Sequence, residues 1–439
     1  MPATHRLCAI GRAIQPAGPR TVAFWLIVVA ATLNYVVNSA SMPLLNRGIQ
    51  TNLGQGAAVS GTIIALAAVS SVACMAVTGA LTDRYGPRPV MLVAAALGLA
   101  GTAALACSFS FPWIAFNRLA YGAGNAGITV ASTAWAAFTT PAHQRGRALG
   151  YYGISVWVGL ALGPLAAENA ALHAGLRDAW LLMTVLLAAG LVLALPVKGS
   201  PPPSAPSAPG PPGAPGPPGA PTLPDGARPA RRDAHQRLPH PQGKANRLLV
   251  ARAVWRPGLI ALTAWGAQGL VVTFLIQHLE ERGLPATGLT GASSLFVVLA
   301  VSVIAARLVL GPATDRRGPR PTAAVSLVAL AAGMGVLAAA GGFWVAALGT
   351  VLTGVGYAPL YPALTLLATQ PLPPGLRSTG VGLFSAATST GVYGGALCGG
   401  LLVEAAGSGV ALAVFGAVQL PLLLLLGRPG PRSGPDFTR

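Results

Sequence analysis

GALTDRYGPRP, residues 79–89, and GPATDRRGPRP, residues 311–321, agree at eight of eleven positions in a chain that is only 9% charged. A shift of 232 carries Gly311, Asp315, Arg316, Gly318 and Arg320 onto Gly79, Asp83, Arg84, Gly86 and Arg88. The same shift takes Gly354 and Gly356 onto Gly122 and Gly124. It also takes Pro373, Arg377, Gly382, Gly391 and Gly395 onto Pro141, Arg145, Gly150, Gly159 and Gly163. One register held over so long a stretch reads as an internal duplication.

The 439 residues are 53% hydrophobic, far more than a soluble surface tolerates. Cutting at charges leaves apolar runs at 21–46, 48–82, 89–117, 119–142, 148–167 and 179–197. The second half gives 257–277, 283–306, 321–341, 343–376, 378–403 and 405–427, with one break placed at Gly341-Gly342 inside an uncharged stretch. A helix needs about 20 apolar residues to cross the hydrocarbon core. The expectation is therefore an all-α membrane protein, with twelve transmembrane helices in two pseudo-symmetric six-helix bundles. Parallel repeats imply a pseudo-twofold axis along the membrane normal and a substrate site between the halves.

The net charge of +18 would point to nucleic acid in a soluble protein. Here 23 of the 28 Lys and Arg fall on one side of the alternating topology, while only Arg47, Arg177 and Arg282 fall on the other. Basic loops stay cytoplasmic, so both termini are expected inside a plasma (inner) membrane, with the lipid bilayer and not nucleic acid as partner. Arg6, Arg12 and Arg20 precede an apolar run without a cleavage site, which reads as a retained first helix. Cys8, Cys74, Cys107 and Cys398 are scattered and form no metal or disulfide pattern.

Residues 198–256 break the pattern with PPPSAPSAPGPPGAPGPPGAP and a basic stretch, a semi-rigid polyproline linker with a charged end. The expected organisation is a cytoplasmic tail 1–20, a bundle 21–197, the linker 198–256, a bundle 257–427 and a tail 428–439.

The repeated G-x-x-x-D-R-x-G-x-R between helices 2–3 and 8–9, in a six-plus-six arrangement, resembles the major facilitator superfamily. The resemblance covers nearly everything outside the linker and tails. It implies that the loops carrying Gly79, Asp83, Arg84, Gly86, Arg88, Gly311, Asp315, Arg316, Gly318 and Arg320 latch the two halves on the cytoplasmic side. It also implies alternating access, a monomer, and helices 1, 4, 7 and 10 around the central cavity. On those helices the spacing sets polar residues on one face: Asn34, Asn38 and Ser41; Arg118, Tyr121, Asn125, Thr129 and Ser132; Trp265 and Gln268; Thr353, Tyr357, Tyr361 and Thr365. An intramembrane Arg is costly and marks function by default. Helix–helix hydrogen bonding is the plainer use of the Asn, Ser and Thr.

Helix 5 reads GYYGISVWVGLALGPLAAE, with Gly150, Gly159, Gly163 and Pro164 in a pattern that resembles drug:proton antiporters. The family's closing glycines are replaced by Ala167 and Glu168, and small-residue packing explains the others equally well. None of the ten acids falls mid-helix in 1, 4, 7 or 10, so Glu168 is the first candidate to carry a coupling proton, a carboxylate snorkelling to the outer rim being its plainer reading. Arg307, one turn before Gly311, resembles the helix 8 Arg of monocarboxylate and oxalate–formate carriers. With Arg118 it would define an organic-anion site, although the monocarboxylate helix 1 signature is absent and snorkelling to the inner loop explains the residue as well. No catalytic triad, phosphate loop or metal cluster is present in the sequence, so a carrier without cofactor is expected, not an enzyme. The leading expectation is proton-coupled efflux of a small organic molecule. The alternative is import or exchange of a small organic anion, and a transport-like sensor stands behind both.

Overall fold

The computed structural model describes residues 21–140, 145–197, 244–373 and 376–427. The tails 1–20 and 428–439 and most of the expected linker, 198–243, lie outside the described residues. So do the side chains of Asp83, Asp315 and Arg316 and the surroundings of Gly150 and Gly311.

Among the described residues the chain is all-helical. α1 spans Val22–Leu53, α2 Ala57–Tyr85, α3 Pro87–Cys107, α4 Phe111–Thr139, α5 Arg145–His173 and α6 Leu176–Ala194. α7 spans Lys244–Glu280, α8 Leu295–Arg317, α9 Pro319–Ala339, α10 Phe343–Thr369, α11 Arg377–Ala406 and α12 Ser408–Ala417, followed by a 3₁₀ turn at Pro421–Leu426. Helices satisfy every backbone group internally, which an apolar surrounding demands. Eleven spans are long and apolar enough to cross a membrane. α4 falls short because Asn117, Arg118 and Asn125 lower its hydropathy.

Two helix starts differ most from those set by charge. α7 begins at Lys244, well inside the expected linker, because Lys and Arg are good helix formers whose heads leave the apolar layer easily. The eighth run starts at 283 in sequence, yet its helix starts at Leu295. Gly283 and Gly288 take φ of 85° and 102°, and Pro285 lies between them, so the uncharged stretch before α8 is a turn.

Each half builds a similar scaffold. α1 packs on α5 and α6, and α4 on α2 and α3; α7 packs on α11, and α10 on α8 and α9. α2 with α11, α5 with α8, and α1 with α7 join the halves. Glycines set the closest approaches. A Cβ on Gly124 would lie 2.6 Å from the Ala94 carbonyl oxygen, and one on Gly356 2.9 Å from that of Ser326. Likewise Gly122 abuts Ala67 and Ser70, and Gly354 abuts Leu299 and Ser302. In all of these contacts both partners are displaced by 232, so the repeat in sequence is a repeat in packing. Gly159 and Gly163 meet Tyr35 and Ser39 of α1, whereas Gly391 and Gly395 meet Leu262 and Gly266 of α7. The shift between those partners is 227, so the first helix of each half leaves the common register.

The repeated motif forms one-residue links. Gly86 joins α2 to α3 at φ 84° and ψ 163°, and Gly318 joins α8 to α9 at φ 86° and ψ 164°. A side chain there would be strained, and Pro at the first helical position restarts the chain.

Candidate functional site

Arg118 sits in the first half of α4 and is 1% exposed. Its Nε and Nη2 donate to Asn117 Oδ1 at 2.9 and 2.6 Å, and its guanidinium lies 5.7 Å from the Tyr121 ring centre. Tyr393 of α11 is near enough to feel its charge. Tyr121 Oη donates to the Asn34 carbonyl at 3.0 Å, and Asn34 Nδ2 donates to Asn125 Oδ1 at 2.9 Å. The expected α1 and α4 polar faces therefore do meet. Ser132 is spent on Met91 Sδ of α3 at 3.5 Å.

The α7 and α10 faces meet through rings. Trp265 lies 5.9 Å from Tyr357 and 5.6 Å from Tyr361, and Tyr361 lies 5.5 Å from Phe384. Tyr357 Oη donates to the Ala264 carbonyl at 2.7 Å. Thr353 and Thr365 donate to their own helix at Gly349 and Tyr361. Asn38 and Gln268 are half-buried on the same helices. Arg307 of α8 is exposed, with its guanidinium 5.6 Å from the Trp157 ring centre on α5, a contact between the halves.

Among the described residues no carboxylate pairs with Arg118 or Arg307; the ion pairs there belong to Arg47. A buried cation held only by an amide oxygen and rings is expensive.

At the end of the bundle away from the termini, Arg47 of α1 meets Glu168 of α5 at 2.7 Å and Glu280 of α7 at 2.9 Å. Glu168 is 1% exposed, turned inward and not to the rim. Asn46 and Gln50 both donate to Gln277 Oε1 at 2.9 Å. Glu404 of α11 accepts from the Ala58 N–H at 2.7 Å, capping the start of α2. Arg47, Asn46 and Gln50 reach Glu280 and Gln277 of the other half beside a cavity of about 150 Å³ that Glu168 also lines. At the basic end, Arg88 donates to the Leu195 carbonyl of α6 at 2.8 Å, within its own half, and Arg84 lies 5.2 Å over the Tyr85 ring.

Sequence reasoning missed Asn117, Trp157, Tyr393 and the whole Arg47–Glu280 clasp. Arg47 carried a signal, as one of three cations on the sparsely charged side. Trp157 and Tyr393 lie on α5 and α11, outside the four helices with a polar stripe in sequence.

The chain is similar to known proteins along most of its length. An uncharacterized MFS-type transporter of Salmonella typhimurium, STM4428, is 23% identical over 377 residues, covering 83% of this chain and 86% of that one. The multi-drug resistance efflux pump PmrA of Streptococcus pneumoniae is 29% identical over 175 residues, 39% of this chain and 42% of the pump. Among solved structures, the nucleoside transporter NupG superposes with a TM-score of 0.69 at 14% identity, covering 92% of this chain and 98% of that one. The Major Facilitator Superfamily model matches residues 27–311 and 286–438. With nearly the whole described chain inside that match, the protein belongs to the major facilitator superfamily of membrane transporters.

Proposed function

We propose that this transporter carries a small organic molecule with an anionic group by alternating access. The observation that carries the reading is Arg118, fully buried, with no carboxylate partner among the described residues, beside Asn117 and Tyr121 of its own helix and near Tyr393 of α11. Trp265, Tyr357 and Tyr361 supply an apolar, ring-rich wall for the rest of such a molecule. Arg307 on Trp157 is a second cation that a carboxylate meets as the halves move apart.

The proposal includes twelve spans in two pseudo-symmetric bundles, both termini cytoplasmic in a plasma membrane, the domain bounds set out above with α7 extended to Lys244, and function as a monomer. The clasp supports closure away from the termini, and in this scheme the basic end is the open one. In the alternate state the clasp parts and the two motif loops close the basic end, Asp83 and Asp315 finding Arg partners there. Glu168 is the proton carrier in this scheme. Protonated, it releases Arg47; ionised, it holds α1 and α5 together.

A second reading, proton-coupled export of an uncharged or weakly polar molecule, is favoured by the helix 5 pattern and the likeness to the named efflux pump. Flux separates them. Proteoliposomes under a pH gradient are loaded with radiolabelled benzoate, salicylate and succinate or with ethidium, with and without a protonophore. Carboxylate movement lost in Arg118→Gln supports the anion reading. Ethidium movement abolished by the protonophore and unchanged in Arg118→Gln supports the second. Ligand binding without any flux would leave a sensor.

A further inference from the structure

We propose that His278, Ser408 and Glu281 form a proton-binding site at the end of the bundle away from the termini, separate from Glu168. His278 of α7 is 1% exposed and has both ring nitrogens engaged. Nε2 lies 3.1 Å from the Leu337 carbonyl oxygen of α9, and Nδ1 lies 2.8 Å from Ser408 Oγ at the start of α12. Ser408 Oγ in turn lies 2.6 Å from Glu281 Oε2, just past α7. Three contacts need three protons. A carbonyl only accepts, so Nε2 supplies the first. Neutral imidazole has no second N–H, and the serine hydroxyl has one proton for the two contacts that remain. A neutral His278, Ser408 and an ionised Glu281 therefore fall one proton short. The added proton sits on Nδ1 or on Glu281, and in either place the trio holds it as a unit.

The charged groups facing His278 are Glu281 and Arg282, both on the segment after α7, while α9 and α12 bring the Leu337 carbonyl, Ser408 and Gly409. Arg282 is engaged at the end of α9, where Nη1 donates to the Ala340 carbonyl at 2.9 Å. With the proton bound the trio has no net charge. Without it one of the three contacts is unmade at a buried ring, where a lost partner costs more than at the surface. The effect reaches the other half of the molecule. Glu281 Oε1 accepts from Gln277 Nε2 at 2.9 Å, which leaves Gln277 Oε1 turned to Asn46 and Gln50 of α1. The proton thus holds α7, α9 and α12 together and steadies the amide that meets the first half. The site depends on neither Glu168 nor the molecule carried.

Purified full-length protein with isotope-labelled histidine and glutamate is studied in lipid nanodiscs at neutral pH by NMR and infrared spectroscopy. The signals of the pair are those lost in His278→Gln and in Glu281→Gln. Expected is either an imidazolium at His278 or a protonated carboxyl at Glu281. A neutral His278 beside an ionised Glu281 overturns the site. Thermal unfolding between about pH 5 and about pH 8 gives an independent readout. The bound proton favours the folded contacts, so the contribution of the site is present at low pH and lost as pH rises. The native Tm should accordingly fall by about 2–4 °C relative to Glu281→Gln, whose amide supplies the missing hydrogen at every pH. Ser408→Ala should lie below the native protein at low pH and lack the fall. Glu168→Gln should keep it, and a fall lost there assigns the proton to Glu168 and overturns this site. A Ser408→Ala profile parallel to the native one overturns the shared proton, as does a Glu281→Gln profile that falls with it.

Discussion

The two halves keep the same glycines and differ at the polar residues of α4 and α10. Gly122 and Gly124 recur as Gly354 and Gly356, each against partners shifted by the same 232 positions. On α4 and α10 the same shift pairs Arg118 with Thr350, Tyr121 with Thr353, Asn125 with Tyr357 and Thr129 with Tyr361, and no pair is identical. The difference follows from what each residue must satisfy. A glycine under a neighbouring carbonyl admits no substitute, because added atoms would overlap backbone that cannot move away. In the proposed function, a side chain that faces the carried molecule answers to that molecule, and nothing in it requires the two halves to match. The first half accordingly offers a cation and amides, and the second offers rings.

The largest effect should come from breaking the shared scaffold. Gly124→Val and Gly356→Val should each cost about 1–3 kcal/mol or more and lower Tm by comparable amounts. An unchanged Tm in one of them would separate the halves. Next comes the site. Arg118→Gln should reduce carboxylate flux about tenfold or more, while Tm holds or rises because an unpaired buried charge is gone. Thr350→Val, its counterpart in the second half, should leave flux within about twofold. Glu168→Gln should flatten the pH dependence of transport, since the group that releases Arg47 no longer titrates; Glu404→Gln should leave that dependence in place. Transport with an unaltered pH profile in Glu168→Gln removes Glu168 from the coupling scheme. The smallest effect is expected for Tyr121→Phe and Tyr357→Phe, each losing one hydrogen bond to a carbonyl, about 1 kcal/mol in Tm-derived stability.

Most of the scaffold could be read from sequence, because apolar runs, glycine spacing and the duplicated motif are local and periodic. Helix ends were less legible. Charges near α7 looked like linker because a cut at every Arg ignores side chains that reach out of the apolar layer, and Gly283 to Gly291 looked like membrane because turns there are uncharged. Within the site, Arg118, Tyr121, Asn34 and Asn125 were legible through helical spacing on α1 and α4. The clasp was not, since Arg47, Glu168 and Glu280 come from three helices with no shared pattern. The same holds for Trp157 beneath Arg307, a meeting of α5 and α8 that only the fold creates.

The central claim is that Arg118 selects a negative charge. Matched pairs of small carboxylates and their amides, benzoate with benzamide and succinate with succinamide among them, are compared for protection of the purified protein against thermal unfolding. The account predicts stabilisation by carboxylates and not by their amides, abolished in Arg118→Gln. Amides that protect as well as their acids, or carboxylate protection that survives Arg118→Gln, would contradict it.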